Sequence, residues 1–96
     1  MPRARFIVRG IVQGVNFRSN AVREAIRLGV TGRVWNRDDG ALEILAEGDE
    51  PALAAMQSWL NEGPRGAQVS EVERTDIEGK SRYDSFNMTW SAPREG

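Results

Sequence analysis

The chain has 96 residues and a mass of 10.7 kDa, which is the size of one domain and leaves no room for a second. Cysteine and histidine are both absent, which excludes disulfides, thiolate and imidazole catalysis, and the commonest zinc ligands. No apolar run reaches the ~20 residues of a membrane span, and the first residues do not resemble a signal peptide. We therefore expect a cytoplasmic protein without a membrane partner.

Charge is unevenly distributed along the chain, although the formal net charge is only −1. Residues 1–37 contain eight arginines and one acid, which gives +7. Residues 38–96 contain five basic and thirteen acidic residues, which gives −8. A cationic first third suggests an anionic ligand, but the same counts fit two parts that interleave and cancel each other's field.

The pattern of apolar residues predicts strands and helices in a definite order. The predicted elements are a strand over 3–9 that Gly10 ends, a helix from 17 or 18 to 28, and strands over 32–35 and 42–46. They continue with a helix that begins after Asp49 and is ended by the segment 61–66, a strand near 69–72, and a last strand over 86–90. The Asp-Gly pair at 39–40 is typical of a hairpin turn, and the spacing of Val69 and Val72 predicts a β-bulge. The order βαββαβ predicts an α+β, ferredoxin-like sandwich, in which two helices cover one face of an antiparallel sheet.

We expect residues 1–91 to form this single domain and residues 92–96 to form a flexible C-terminal tail. The aromatic residues expected in its core are Phe6, Trp59, Phe86 and Trp90. Trp35 fits either the core or a platform on which a base could stack, as in RNA-binding sheets.

The most informative segment is Gly10-Ile-Val-Gln-Gly-Val-Asn-Phe-Arg18, between the first strand and the first helix. Its glycines permit a tight path in which successive backbone N–H groups face inward and form an anion nest. The helix N-terminus behind it adds further donors, and Arg18 can add a bidentate guanidinium. These features favour a phosphate or carboxylate cradle, and an ordinary glycine turn is the alternative.

Asn36 is the second candidate, because it ends a strand that the predicted topology brings beside the first helix. Its amide can accept a hydrogen bond from a water and donate one to a neighbour. The simpler interpretation is a residue that begins the hairpin turn. Asp38, Asp39 and Glu43 are explained better by a solvated hairpin tip than by a divalent-metal site, so these residues predict no metal site.

Two segments of the chain resemble the signatures of the acylphosphatase family. The matching segments are Gly10 to Arg18 for the first signature, Gly32-Arg-Val-Trp-Asn36 followed by Gly40, Glu43 and Gly48 for the second, and Phe86-Asn-Met-Thr-Trp90 for the closing strand. The resemblance covers nearly the whole chain in order. It implies an enzyme that hydrolyses carboxyl–phosphate mixed anhydrides to a carboxylate and inorganic phosphate without a metal or cofactor.

The resemblance also implies roles for individual residues. The first loop and Arg18 would bind the phosphoryl group, and Asn36 would position the attacking water. The phosphate-binding residues implied are Val12, Gln13, Gly14, Val15, Asn16, Phe17 and Arg18. The expected ligands are a small acyl phosphate and inorganic phosphate, with no nucleic acid, and a monomer is expected. The alternative is a non-catalytic module of the same fold that binds phosphate, another anion or RNA.

Two positions of the second signature depart from the family's usual pattern. An aromatic or small apolar residue usually follows the glycine, where this chain has Arg33. A long polar or basic residue usually precedes the asparagine, where this chain has Trp35. The aromatic and the arginine look exchanged. Because alternate residues of a strand face opposite sides, we expect the exchange to bring an aromatic side chain to the other face of the strand. We expect this to alter the wall around Asn36 and the substrate preference.

Overall fold

The computed structural model describes residues 1–93, which form one mixed sheet and two helices. The elements are β1 Arg3–Ile11, α1 Phe17–Leu28, β2 Thr31–Asn36, β3 Leu42–Glu47, α2 Glu50–Glu62, β4 Gln68–Ile77 and β5 Phe86–Met88. The expected ferredoxin-like order is confirmed, with β5 as a fifth strand. Of the tail expected at 92–96, residues 94–96 lie outside the described residues.

The strands lie side by side in the order β4-β1-β3-β2-β5. Three of the four pairings are antiparallel, as expected, but β2 and β5 run parallel. The parallel pairing arises because the chain between β4 and β5 crosses from one edge of the sheet to the other. It places the end of β5 beside the end of β2.

β1 is longer than the sequence predicts. It continues through Gly10 to Ile11, so the prediction that Gly10 ends the strand is wrong. Gly10 is required there for a different reason. Its φ is +127°, and a Cβ on it would lie 2.1 Å from the carbonyl oxygen of Gln68.

The expected bulge lies on β4, opposite this glycine. Between the partners of Arg9 and Gly10, β4 has one residue, Ser70, more than β1. The extra residue explains why Val69 and Val72 are three positions apart and not two, as a regular strand would have them.

The core lies between the sheet and the two helices. Its buried residues are Ala4, Phe6, Val8, Val12, Phe17, Ala21, Ala25, Val30, Val34, Leu42, Ile44, Ala46, Leu53, Met56, Leu60 and Phe86. Trp59 packs against this cluster, as expected. Trp90 is 87% exposed, so its expected burial is wrong, because β5 ends at Met88 and Trp90 lies beyond the end of the sheet.

Both helices have the ends that the sequence predicts. α1 stops at Gly29, which adopts φ +76° and donates its backbone N–H to the last turn. α2 begins after Asp49, whose carboxylate accepts a hydrogen bond from the N–H of Ala52 at 3.0 Å. Among residues 1–93, neither helix has the length and apolar character to cross a membrane.

Replacement of Asp49 by alanine is expected to lower the free energy of unfolding by about 1 kcal/mol, because it removes this N-terminal cap. Asp49 does not line the cleft described below, so catalytic turnover per folded molecule should not change. Denaturant unfolding of Asp49→Ala beside the unmodified protein checks the prediction, and equal midpoints would contradict it.

Candidate active site

A cleft of about 430 Å³ opens where the first loop, the start of α1 and the ends of β2 and β5 meet. Its lining residues are Val12, Gly14, Asn16, Phe17, Arg18, Ser19, Asn36, Met88, Thr89 and Trp90. The structure thus brings Arg18 and Asn36 together with four other residues of the expected phosphate loop. Gln13 and Val15 belong to the same loop but do not line the cleft.

The loop between β1 and α1 is anchored at both ends by buried side chains, those of Val12 and Phe17. Between them the backbone turns through two left-handed residues, Gly14 with φ +77° and Asn16 with φ +59°. The carbonyl oxygen of Asn16 accepts the backbone N–H of Asn20 at 3.2 Å. This bond joins the end of the loop to the first turn of α1.

The backbone N–H groups of this loop are available to a ligand. Within the described chain, those of residues 13–16 donate no hydrogen bond to another protein group. The first N–H groups of α1 lack intrahelical acceptors for the usual reason that a helix begins there. An ordinary glycine turn would use such donors internally, so their freedom favours the anion cradle.

Arg18 holds a positive charge beside these donors. Its Nη1 donates to the carbonyl oxygen of Thr89 at 3.4 Å, and its guanidinium carbon lies 5.1 Å from the centre of the Trp90 ring. No carboxylate of residues 1–93 forms an ion pair with Arg18. The guanidinium can therefore meet an anion in the cleft without first breaking a salt bridge.

Most other arginines of the cationic first third are neutralised by acids from later in the chain. The pairs include Arg3–Glu47, Arg5–Glu43, Arg9–Asp39 and Arg37–Glu43. The two oppositely charged parts of the sequence interleave, which is one of the two interpretations that the charge counts left open. Arg18 is an exception, because it lines a cleft and forms no ion pair with a carboxylate of residues 1–93.

Two acids of the β2–β3 hairpin, Asp39 and Glu43, form ion pairs with Arg37. The Arg37 guanidinium, by hydrogen bonding, lowers the pKa of the Asp39 carboxyl below its ordinary value, and the Asp39 pair raises the pKa of Arg37 in turn. Glu43 also bonds Arg37, at 2.9 Å. No group of three acidic residues within 1–93 is arranged to hold a metal ion.

Asn36 ends β2 on the side of the sheet that the helices cover, the same side as the buried Val34. Within residues 1–93 its side-chain amide bonds no protein group. A turn-initiating asparagine would bond the backbone two residues on. Here the turn is closed by Arg37 and Ala41, with help from the Asp39 carboxylate, so the Asn36 amide is available in the cleft.

Sequence reasoning missed one contact that joins the loop to this hairpin. The Nε2 of Gln13 donates to the carbonyl oxygens of Arg37 at 2.9 Å and of Ala41 at 3.0 Å. The acceptors are backbone groups 24 and 28 residues away. Every residue has such a carbonyl, so the sequence contains no signal for this contact.

The two departures from the family pattern lie on the face of the sheet opposite to the helices. Arg33 and Trp35 are two positions apart and share one face of β2, so the expected exchange between faces is wrong. The Arg33 guanidinium carbon lies 4.4 Å from the centre of the Tyr83 ring. Trp35 is only 4% exposed, which removes the alternative of a base-stacking platform there.

Known proteins match this chain over most of its length. A family model described as Acylphosphatase matches residues 4–88. An acylphosphatase of Alkalilimnicola ehrlichii is 52% identical over 84 residues, which are 88% of this chain and 93% of that protein. One of Pasteurella multocida is 39% identical over 90 residues, which are 94% of this chain and 100% of that protein.

Solved structures agree with the sequence comparison. The crystal structure of the acylphosphatase from Bacillus subtilis matches with a TM-score of 0.90 at 37% identity, covering 94% of this chain and 100% of that one. The fold is therefore the one seen in a solved acylphosphatase. The chain belongs to the acylphosphatase family, so the resemblance of its signatures is confirmed.

Proposed function

We propose that this protein hydrolyses the carboxyl–phosphate bond of acyl phosphates and releases a carboxylate and inorganic phosphate. The observation that supports this most directly is the content of the cleft. Arg18 has no carboxylate partner and the Asn36 amide has no protein partner within the described chain, and both line the same cleft as the loop. Family membership supports the reaction class, and this geometry suggests a task for each group.

The first task is to hold the phosphoryl group. Backbone N–H groups of residues 12–17 and the Arg18 guanidinium bind its oxygens. Phosphoryl transfer passes through a loose transition state in which charge is spread over the peripheral oxygens. The same donors follow that charge as the bond to the acyl oxygen lengthens, so binding and electrostatic stabilisation come from one set of groups.

The second task is to place the attacking water. The Asn36 side-chain oxygen accepts a hydrogen bond from the water and holds it in line with the P–O bond that breaks. The water oxygen forms a bond to phosphorus, and the electron pair of the broken bond leaves with the carboxylate. The carboxylate needs little protonation to leave, and a phosphate oxygen of the substrate takes the proton of the water. No histidine, cysteine or metal has a part in this scheme.

Turnover of acetyl phosphate and benzoyl phosphate tests the proposal. Inorganic phosphate should bind the cleft whether the protein is a hydrolase or a non-catalytic binding module, so binding alone decides nothing. Release of inorganic phosphate from either substrate at a rate proportional to enzyme supports the hydrolase. Saturable phosphate binding without any turnover would favour the binding module.

Activity should be unchanged after exhaustive treatment with a strong chelator. The sequence has no histidine or cysteine, and two acids of the hairpin, Asp39 and Glu43, are engaged with Arg37, so the protein offers poor ligands for a metal. Initial rates before and after chelation, with added Mg²⁺ as a third condition, check this. A loss on chelation that Mg²⁺ restores would contradict the mechanism.

A further inference from the structure

Gln13 lies between two residues that line the cleft, Val12 and Gly14, but Gln13 itself does not line it. It reaches the β2–β3 hairpin, where one amide group donates to two carbonyl oxygens, those of Arg37 and Ala41. Arg37 directly follows Asn36 in the chain. The amide therefore joins the loop that faces the phosphoryl group to the strand end that faces the water.

The hairpin closes without these two bonds. The Arg37 N–H donates to the Ala41 carbonyl oxygen at 2.8 Å, and the Gly40 N–H donates to the Arg37 carbonyl oxygen at 3.2 Å. Each carbonyl that Gln13 contacts thus already has a backbone partner. A second donor on each carbonyl adds little to the stability of the turn itself. The contact therefore matters for the position of the loop that carries Gln13.

The loop has few other ties to this part of the molecule. Among residues 1–93, the two Gln13 bonds are the only hydrogen bonds between segments 12–16 and 36–41. The ends of the loop are fixed by burial of Val12 and Phe17 in the core. Burial fixes the loop against the core, whereas Gln13 fixes it against the residue that follows Asn36.

We propose that Gln13 is a positioning residue that sets the separation between the loop-bound phosphoryl group and the water held by Asn36. This inference rests on the proposed function. In-line attack is sensitive to such a separation, and a misplacement of ~1 Å can cost ~10² in rate. The Gln13 side chain does not line the cleft and bonds the residue after Asn36, so it acts through the position of Asn36.

Two substitutions break the link in different ways. Gln13→Glu keeps the length and shape of the side chain but turns an oxygen toward each carbonyl, where no hydrogen bond can form. Gln13→Ala removes the link without repulsion and serves if the glutamate variant does not fold. We expect either variant to lower kcat for acetyl phosphate by roughly 10- to 100-fold, while the affinity for inorganic phosphate changes by less than about threefold.

A matched control is Gln57→Ala, the same chemical change on α2, where the glutamine does not line the cleft. Its kcat should equal that of the unmodified protein. Melting temperatures of all variants identify any loss of folded protein, and rates are compared per folded molecule. If the Gln13 variants lose stability but keep the kcat of the control, Gln13 has only a structural role and the proposal fails.

A double-mutant cycle with Asn36→Ala tests how Gln13 acts. If Gln13 works through Asn36, Gln13→Ala should cost little further kcat once Asn36 is alanine. If the two losses multiply, Gln13 does not act through Asn36 and the inference is overturned. Failure of the unmodified protein to turn over any acyl phosphate would reject the proposed function itself. Normal turnover that does not change when Gln13 is replaced would reject only the role of Gln13.

Discussion

Replacement of Arg18 by alanine is expected to weaken phosphate binding and slow turnover together. The guanidinium faces the cleft without a carboxylate partner in the described chain, so the change removes a charge-assisted contact to the ligand. Loss of such a partner typically costs about 2–5 kcal/mol. At 1.4 kcal/mol for each factor of ten, kcat/KM should fall between roughly 30-fold and several thousand-fold. Steady-state rates with acetyl phosphate and titration with inorganic phosphate measure both effects.

Lysine at this position should restore little of the loss. A lysine ammonium is a point charge on a flexible stem, whereas the planar guanidinium offers two parallel donors to two phosphate oxygens. Arg18→Lys would also lose the packing of the guanidinium beside Trp90. Near-normal turnover of Arg18→Lys would show that the bidentate contact is not needed.

Arg23→Ala is the charge-matched control for both variants. Arg23 lies on α1, as Arg18 does, but it is exposed and does not line the cleft. Its removal changes the net charge equally, so it reports any general electrostatic attraction of the substrate. Equal losses in Arg23→Ala and Arg18→Ala would assign the effect to net charge and not to a contact in the cleft.

The sequence predicts the fold well where local chemistry decides the structure. Gly29 and Asp49 mark helix ends through backbone conformation and side-chain capping, which depend on few neighbours. A glycine interrupts the sequence pattern equally well at a strand end and at a bulge, and only the pairing with β4 shows that Gly10 lies opposite a bulge. Trp90 continues the alternation of β5 in the sequence, but alternation assigns a face to a residue and does not reveal whether anything covers that face.

In the candidate site, too, some features follow from the sequence and others depend on contacts between distant segments. The sequence alone predicts that Arg18 and Asn36 lie close together, because the predicted order of elements places the end of β2 beside the start of α1. Within residues 1–93 the loop N–H groups and the Asn36 amide have no protein partner, and this could not be predicted, since it depends on where every other polar group of that part of the chain lies. The same holds for Arg18, which pairs with no carboxylate of residues 1–93, although five of the eight arginines in residues 1–37 form ion pairs within that part of the chain. Pairing depends on which side of the sheet an arginine faces and which acid reaches it.

Replacement of Asn36 by alanine is expected to lower turnover without weakening phosphate binding. If the loop and Arg18 hold the phosphoryl group, the Asn36 amide adds little to ground-state affinity and acts on the water as the transition state forms. Removal of one well-placed polar group of this kind typically costs ~10²–10³ in turnover. Asn36→Ala should therefore lower kcat by about this factor, while inorganic phosphate binds nearly as tightly as before.

The structural interpretation of Asn36 makes a different prediction for the same variant. An asparagine that only shapes the turn would cost about 1 kcal/mol of stability when replaced and would leave turnover per folded molecule intact. Asn61→Ala is a suitable control, since Asn61 is exposed on α2 and its amide donates to the carbonyl oxygen of Gln57 at 3.0 Å. Melting temperature, phosphate affinity and kcat, measured on both variants, distinguish the interpretations. A destabilised but fully active Asn36→Ala protein would overturn the role in positioning water and leave the loop and Arg18 as a site that binds phosphate without an identified means of activating the attack.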